Sequence, residues 1–193
     1  MTNIFAYNIP FASIFLVMAA AIITPVLPNR NRLPEKLSCC VICVVGVLSS
    51  YLIYALTNSG QSITFTFPLG KFPAPWGNEL RAGPLEAVLA MVFCFAMLLS
   101  LLGNASSTRE DIAPARRNIF CVLVNLITAS LLVLTYTNDL FTAYIFMEIN
   151  TIAGCAIVAV KDEAETIRAA LRYLMMSLVG SGLIMIAICL LYD

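Results

Sequence analysis

The chain has 193 residues, 61% of them hydrophobic and only 11% charged, with no net charge and a mean hydropathy of +0.92. A soluble domain carries about 45–50% apolar and about 25% charged residues, so the apolar excess here is more than a core this small can hide, and lipid is the solvent that takes it. With no histidine, a histidine metal site and Ser-His catalysis are excluded within these residues, and the neutral charge balance gives no basis for nucleic-acid binding.

Six apolar runs, each near the roughly 20 residues a bilayer core requires, are expected as helices at 9–27, 37–57, 85–102, 118–136, 140–160 and 171–192. The first run has no Lys or Arg before it. A cleaved signal peptide has a basic leading region, so this run reads as a mature helix. Pro28 and Pro34 bracket the first loop, Pro114 sits in the third, and Asn138-Asp139 makes a tight fourth. The one long loop, 58–84, contains an alternating polar–apolar segment at 62–67 that reads as a strand, with Pro68-Leu69-Gly70 as the turn of a short hairpin; an irregular cap is the alternative. Trp76 suits an interfacial anchor.

Basic residues set the expected topology. Arg30, Arg32 and Lys36 fall in loop one, Arg109, Arg116 and Arg117 in loop three, and Lys161, Arg168 and Arg172 around loop five, against only Lys71 and Arg81 on the other side. Positive charge stays cytoplasmic. The expectation is an all-α, multi-pass protein of the cell's inner (plasma) membrane: one transmembrane domain over 1–193, with both termini outside and a short outer hairpin between helices two and three.

Glu148 is the residue most able to carry chemistry. It lies in the middle of its span, where a carboxylate costs at least ~2.5 kcal/mol on insertion scales. It therefore faces the bundle interior, finds a partner or takes a proton. Tyr144, Thr151 and Cys155 stand at i−4, i+3 and i+7 and make a polar stripe with it. A structural ion pair or a protonated, hydrogen-bonded acid is the alternative. Asn125 and Thr128, at i and i+3 on helix four, face the same interior or act as interhelical glue. Arg172 on helix six either snorkels to the cytoplasmic surface or reaches inward as part of a charge relay. Ser177, Gly180, Ser181 and Gly182 favour close helix packing.

Other patterns carry less. Cys39, Cys40, Cys43, Cys94, Cys121, Cys155 and Cys189 lie in apolar runs, where cysteine behaves as a small hydrophobe, and their number fits a reducing compartment. One C-x-x-C at Cys40 and Cys43 without a second pair does not make a metal site. Residues 161–165 form a charged, solvated loop, and Asn104-Ala-Ser106 is a sequon on the cytoplasmic side. There is no phosphate-binding loop or dinucleotide fingerprint, so no cofactor, metal or catalytic residue is expected in the chain.

The run Tyr136-Thr-Asn-Asp-Leu-Phe-Thr-Ala-Tyr-Ile-Phe-Met-Glu148, the stretch AETIRAALRY at 164–173, Gly180-Ser181 and Leu190-Leu-Tyr192 together resemble one family. It is the antiporter-like subunits shared by Mrp cation/proton antiporters, membrane-bound hydrogenases and respiratory complex I, with the Mrp D-type branch nearest. Pro75-Trp-Gly-Asn-Glu-Leu-Arg81 resembles the family's stretch before helix three. The resemblance implies that Glu148 is the helix-five glutamate of the proton path and that Arg172 stands where the family has a lysine. Arginine is effectively always charged, so relay through that position is not implied. Gly83 stands where the family usually has an Asp.

Family members have about fourteen helices in two inverted repeats, and the resemblance covers the N-terminal half only. It implies a membrane subunit of a multisubunit ion-translocating complex, either an Mrp-type sodium/proton antiporter or a redox-driven relative, itself non-catalytic even if the complex is an oxidoreductase. The implied partners are membrane lipid, the other membrane subunits including a chain that supplies the missing helices, and protons, with sodium as a second ion. A non-conducting scaffold and a free-standing small homodimeric transporter are the alternatives.

Overall fold

The computed structural model describes residues 4–28, 32–58, 64–69, 78–103, 112–113, 116–161 and 163–192. Their elements are α1 (Ile4–Ile23), a 3-10 turn (Thr24–Val26), α2 (Leu33–Asn58), β1 (Phe65–Leu69), β2 (Asn78–Ala82), α3 (Pro84–Gly103), α4 (Arg117–Tyr136), α5 (Leu140–Ala159) and α6 (Ala164–Tyr192). Six helices are long and apolar enough to cross a membrane, and the chain is an all-α, multi-pass membrane protein with a short hairpin between helices two and three.

The helix ends depart from expectation for local reasons. The first helix starts at Ile4, five residues before the expected start at 9, and Pro10 lies inside it. At the far end Pro25 lacks the N–H a continuing α-helix needs, so the chain tightens into the 3-10 turn, and Thr24 Oγ1 bonds back to the Ala20 carbonyl. Pro34 does not bracket a loop. It sits in the first turn of α2, where its missing N–H leaves no bond unmade, and Pro84 opens α3 in the same way. The last helix starts seven residues before the expected Leu171, because the charged 164–170 stretch still has helical periodicity and carries α6 beyond its apolar part.

The core is read off three stripes with helical spacing. They are Ile9, Ser13, Val17 and Ala20 on α1 continued by Thr24 of the 3-10 turn, Ser38, Ile42, Val45, Ser49, Leu52 and Leu56 on α2, and Cys121, Asn125, Thr128, Leu132 and Tyr136 on α4. The opposite face of α1, with Phe11, Phe15, Met18 and Ile22, is exposed and suits lipid. α4 packs on α1, α2, α3 and α5, and half of its most apolar stretch is buried, against 6% for α6.

Close packing through small residues falls on a different pair of helices from the one expected. Gly46 of α2 lies against Cys94 of α3, where an added Cβ would sit 3.7 Å from the Cys94 Cβ, and Ala87 and Ala90 continue that seam. On α6 the expectation is corrected: a Cβ on Gly180 or Gly182 would meet nothing within 4 Å. The spacing is right, but within this chain that face has no neighbour. Only Ser181 there is buried, and it bonds back to the Leu178 carbonyl at 3.2 Å.

β1 and β2 are antiparallel, with Phe65 opposite Ala82 and Leu69 opposite Asn78. A hairpin therefore replaces the irregular cap, but its first strand runs through Pro68 and Leu69, which the expected turn had included. A two-stranded sheet has only edge strands, which tolerate proline. Ser62, Ile63, Gly70 and Trp76 lie outside the described residues, as do the sequon, Arg30, Arg109 and Lys71.

The hairpin closes one end of the bundle. Tyr7 Oη donates to the Thr66 carbonyl at 3.1 Å, and its ring centroid lies 5.2 Å from that of Phe65. The Asn138 amide donates to the Glu79 carbonyl at 2.9 Å, beside a bridge between Leu80 and Thr137. The other end gathers the basic residues: of those described, Arg32, Lys36, Arg116, Arg117, Lys161, Arg168 and Arg172 lie toward it, and only Arg81 lies at the hairpin end. Lys161 pairs with Glu163 at 3.2 Å in the exposed turn between α5 and α6.

Asp139 is more than a tight turn. It caps α5, accepting from the Thr142 amide at 2.8 Å and the Thr142 hydroxyl at 2.7 Å through Oδ2, while Tyr192 Oη of α6 donates to Oδ1 at 3.3 Å. Partial burial alone would raise its pKa, but the hydrogen bonds from Thr142, Phe141 and Tyr192 outweigh it and hold the carboxyl below its ordinary value. A lowered folded-state pKa stabilises fully above the unfolded value and is lost as pH falls through the folded one. Asp139→Ala is expected to cost about 1 kcal/mol and to flatten the acid limb of a stability-versus-pH curve measured by unfolding in mixed micelles; an unchanged acid limb would contradict this role.

Candidate functional site

Glu148 stands eight residues into α5 and eleven before its end at Ala159, about 12 Å and about 16 Å along the axis, which is the middle of the span. The residue is half-buried, yet its Oε2 is fully enclosed and has no hydrogen-bond partner. Most buried polar atoms in native structures are partnered, and an acid at this depth is a functional group by default. Of its stripe, Tyr144 is half-buried, Cys155 is buried, and Thr151 donates its hydroxyl to the Met147 carbonyl at 2.9 Å. The Thr151 hydroxyl proton is thus committed to its own helix, leaving its oxygen able to act only as an acceptor.

Asn125 and Thr128 are not brought to Glu148. Asn125 Nδ2 donates to Ser38 Oγ of α2 at 2.9 Å and to Thr24 Oγ1 beside α1 at 3.4 Å, and the Thr128 hydroxyl donates to the Val124 carbonyl at 2.8 Å. The residue of α4 that reaches α5 is Ser130, whose hydroxyl lies 3.1 Å from Asn150 Oδ1. Positions 125 and 130 are roughly 140° apart around a helix of 3.6 residues per turn. Asn125 therefore belongs to the α1–α2 side of α4 and Ser130 to the α5 side. Ser130 and Asn150 were passed over in the sequence, although Asn150 was visible as a second polar residue in the apolar run that holds Glu148.

Arg172 is exposed on α6. With Glu165, Arg168 and Ala169 it lines an open groove of about 390 Å³ on one helical face, and Arg168 Nε bonds back to the Ala164 carbonyl at 3.2 Å. It lies about 12 Å from the start of α6, about one turn nearer the basic end than Glu148. At position 83 an added Cβ would come within 2.7 Å of Glu86 Oε2 and 2.9 Å of the Thr64 methyl, so the Glu86 carboxylate occupies the space a side chain there would need. Cys40 and Cys43 are exposed and free, and among the described residues no group of three or more His, Cys, Asp or Glu is placed to hold a metal.

Comparison with known proteins bears on this geometry. Residues 137–193 match the transmembrane family model described as NADH:quinone oxidoreductase/Mrp antiporter. The chain is 28% identical over 186 residues to a Staphylococcus haemolyticus protein named as an antiporter subunit, mnhD2, covering 96% of this chain and 36% of that protein. It is 27% identical over 179 residues to the NADH-quinone oxidoreductase subunit N of Desulforudis audaxviator, covering 93% of this chain and 34% of that protein. A chain in the structure of the membrane-bound sulfane sulfur reductase (MBS), an archaeal respiratory membrane complex, superposes with a TM-score of 0.83 at 19% identity, over 96% of this chain and 37% of that one. The resemblance to antiporter-like subunits therefore holds in sequence and in fold, and the chain spans a little over a third of the length of these relatives.

The buried Asn125 contacts define a stability prediction. Asn125→Ala removes both interhelical bonds and the packing of a fully buried side chain. It is expected to cost about 1–2 kcal/mol, read as a lowered unfolding midpoint in mixed micelles, whereas the same substitution at the half-exposed Asn150 should cost less.

Proposed function

We propose that these helices act as one transmembrane unit of a membrane subunit in a multisubunit ion-translocating complex, of the Mrp cation/proton antiporter or membrane-bound respiratory type, and that Glu148 takes up and releases the transported proton. The observation that carries this reading is the enclosed, unpartnered Oε2 of a carboxylate in the middle of a span. Such a group is too costly to keep as filling. An enclosed oxygen aimed into the bundle is one a proton or a water chain can reach from within. Tyr144 and Thr151 line the path on the same face, and Asn125 holds α4 to its neighbours.

A carboxylate that exchanges protons needs a positive charge whose approach or retreat changes its affinity. Arg172, exposed on α6 and always charged, does not pass protons itself. The switching cation lies outside these residues: of the described lysines, Lys36 is in the first turn of α2 and Lys161 is in the α5–α6 turn. The basic end faces the cytoplasm and the hairpin faces outward, with both termini outside. Sodium is the counter-ion in the antiporter form of this reading.

The test is Glu148→Gln in the assembled complex reconstituted into vesicles. Proton-coupled ion movement should fall at least about tenfold, in keeping with the loss of a proton-transfer group, while the complex still assembles. An unchanged rate with full assembly would make the chain a structural piece of the complex.

A further inference from the structure

Three helices each carry two buried polar residues eleven positions apart: Ser13 and Thr24 at the α1 side, Ser38 and Ser49 on α2, and Asn125 and Tyr136 on α4, all 0% exposed. Eleven residues are close to three turns, so each pair shares one helical face with a separation of about 16 Å. One layer is anchored by contact, since Asn125 bonds both Ser38 and Thr24. From that contact α2 and α4 run toward the hairpin in the same sense and α1 runs the opposite way. Eleven residues forward on α2 and α4, and eleven back on α1, arrive together at Ser49, Tyr136 and Ser13. The three helices pack against one another, so these hydroxyls share one level of the core.

At this second layer Ser13 Oγ, Ser49 Oγ and Tyr136 Oη are all enclosed and none has a hydrogen-bond partner, although Ser49 lies close enough to act on the Tyr136 hydroxyl. Serine and threonine inside membrane helices ordinarily bond back to the carbonyl four residues earlier, as Ser50, Thr57 and Thr135 do here at 2.8–2.9 Å. Ser13 and Ser49 leave that bond unmade, so their hydroxyls serve something between the helices. Below them the core is apolar through Val17, Ile42, Val45 and Leu132, which separates this layer from the one at Asn125.

We propose that Ser13, Ser49 and Tyr136 form a closed site for one bound water molecule. Three hydroxyls from three helices offer a water the three or so hydrogen bonds that buried waters typically make. The bound water ties α1, α2 and α4 together directly beneath the hairpin.

Hydroxyl-radical footprinting of the protein in lipid nanodiscs tests this, with radicals generated by X-rays from water already inside the protein and products read by mass spectrometry. Tyr136 should be oxidised in the wild type despite its burial, and the label should fall several-fold in the Ser13→Ala/Ser49→Ala double variant. Ser49→Thr, which keeps a hydroxyl, should retain it. A misfolded double variant would raise the label, in which case Ser49→Ala alone replaces it. An unlabelled Tyr136 in the wild type, or a label unchanged by loss of the serine hydroxyls, overturns the site.

Discussion

A polar group inside a lipid-facing bundle has no water to fall back on, and the arrangement of this molecule follows from where each such group finds a partner. Association between apolar helices in lipid gains little from the hydrophobic effect itself, so close backbone contact and hydrogen bonds decide which faces meet. α4 carries the largest share of those decisions. Asn125 on one side fixes it to α1 and α2 through Thr24 and Ser38, and Ser130 on another side fixes it to α5 through Asn150. Thr128 and Thr135 between them satisfy themselves on α4's own backbone. The helix that makes these interhelical contacts is also, among the described spans, the one buried most deeply.

The two ends of the bundle are built differently. At one, charge does the sorting: seven of the eight described basic residues gather there, where the chain leaves α1 through a 3-10 segment. At the other, backbone hydrogen bonding does it. The hairpin reaches α1 through Tyr7, and it reaches the α4–α5 junction through Asn138 and the Leu80–Thr137 bridge. Asp139 then holds the start of α5 and touches the end of α6. The carboxylate of Glu148 is thereby mounted on a helix fixed at its start by a cap and along its length by Ser130, a rigid setting of the kind proton transfer requires.

Much of this was legible in the residues. Helix number came from apolar run length, the hairpin from alternation at 62–67, and the depth of Glu148 from counting along its run, because each depends on local spacing alone. What was not legible depends on which helices become neighbours. Asn125 reads equally well toward α5 or toward α1 and α2 until the crossing is known, and Ser13, Ser49 and Tyr136 look like unremarkable residues on three separate helices. The small residues of α6 carry a true packing signal, yet its Gly180 and Gly182 face open space in this chain, since a spacing rule says how closely a partner approaches and not whether one is present. Pro34 and Pro68 were read as breaks, whereas a first helical turn and an edge strand both accept the missing N–H.

Glu148 carries the proposed function, because its unpartnered carboxylate oxygen lies in the middle of a span, where a carboxylate is costly to keep. The most direct measurement is labelling with a hydrophobic carbodiimide, which reacts with protonated carboxyls in apolar surroundings, on native membranes across a range of pH, with mass spectrometry to locate the product. The account predicts that Glu148 is modified, with proton-coupled ion movement lost in step. A Glu148 that stays unmodified in the membrane at every pH, yet reacts once the protein is unfolded, would contradict it.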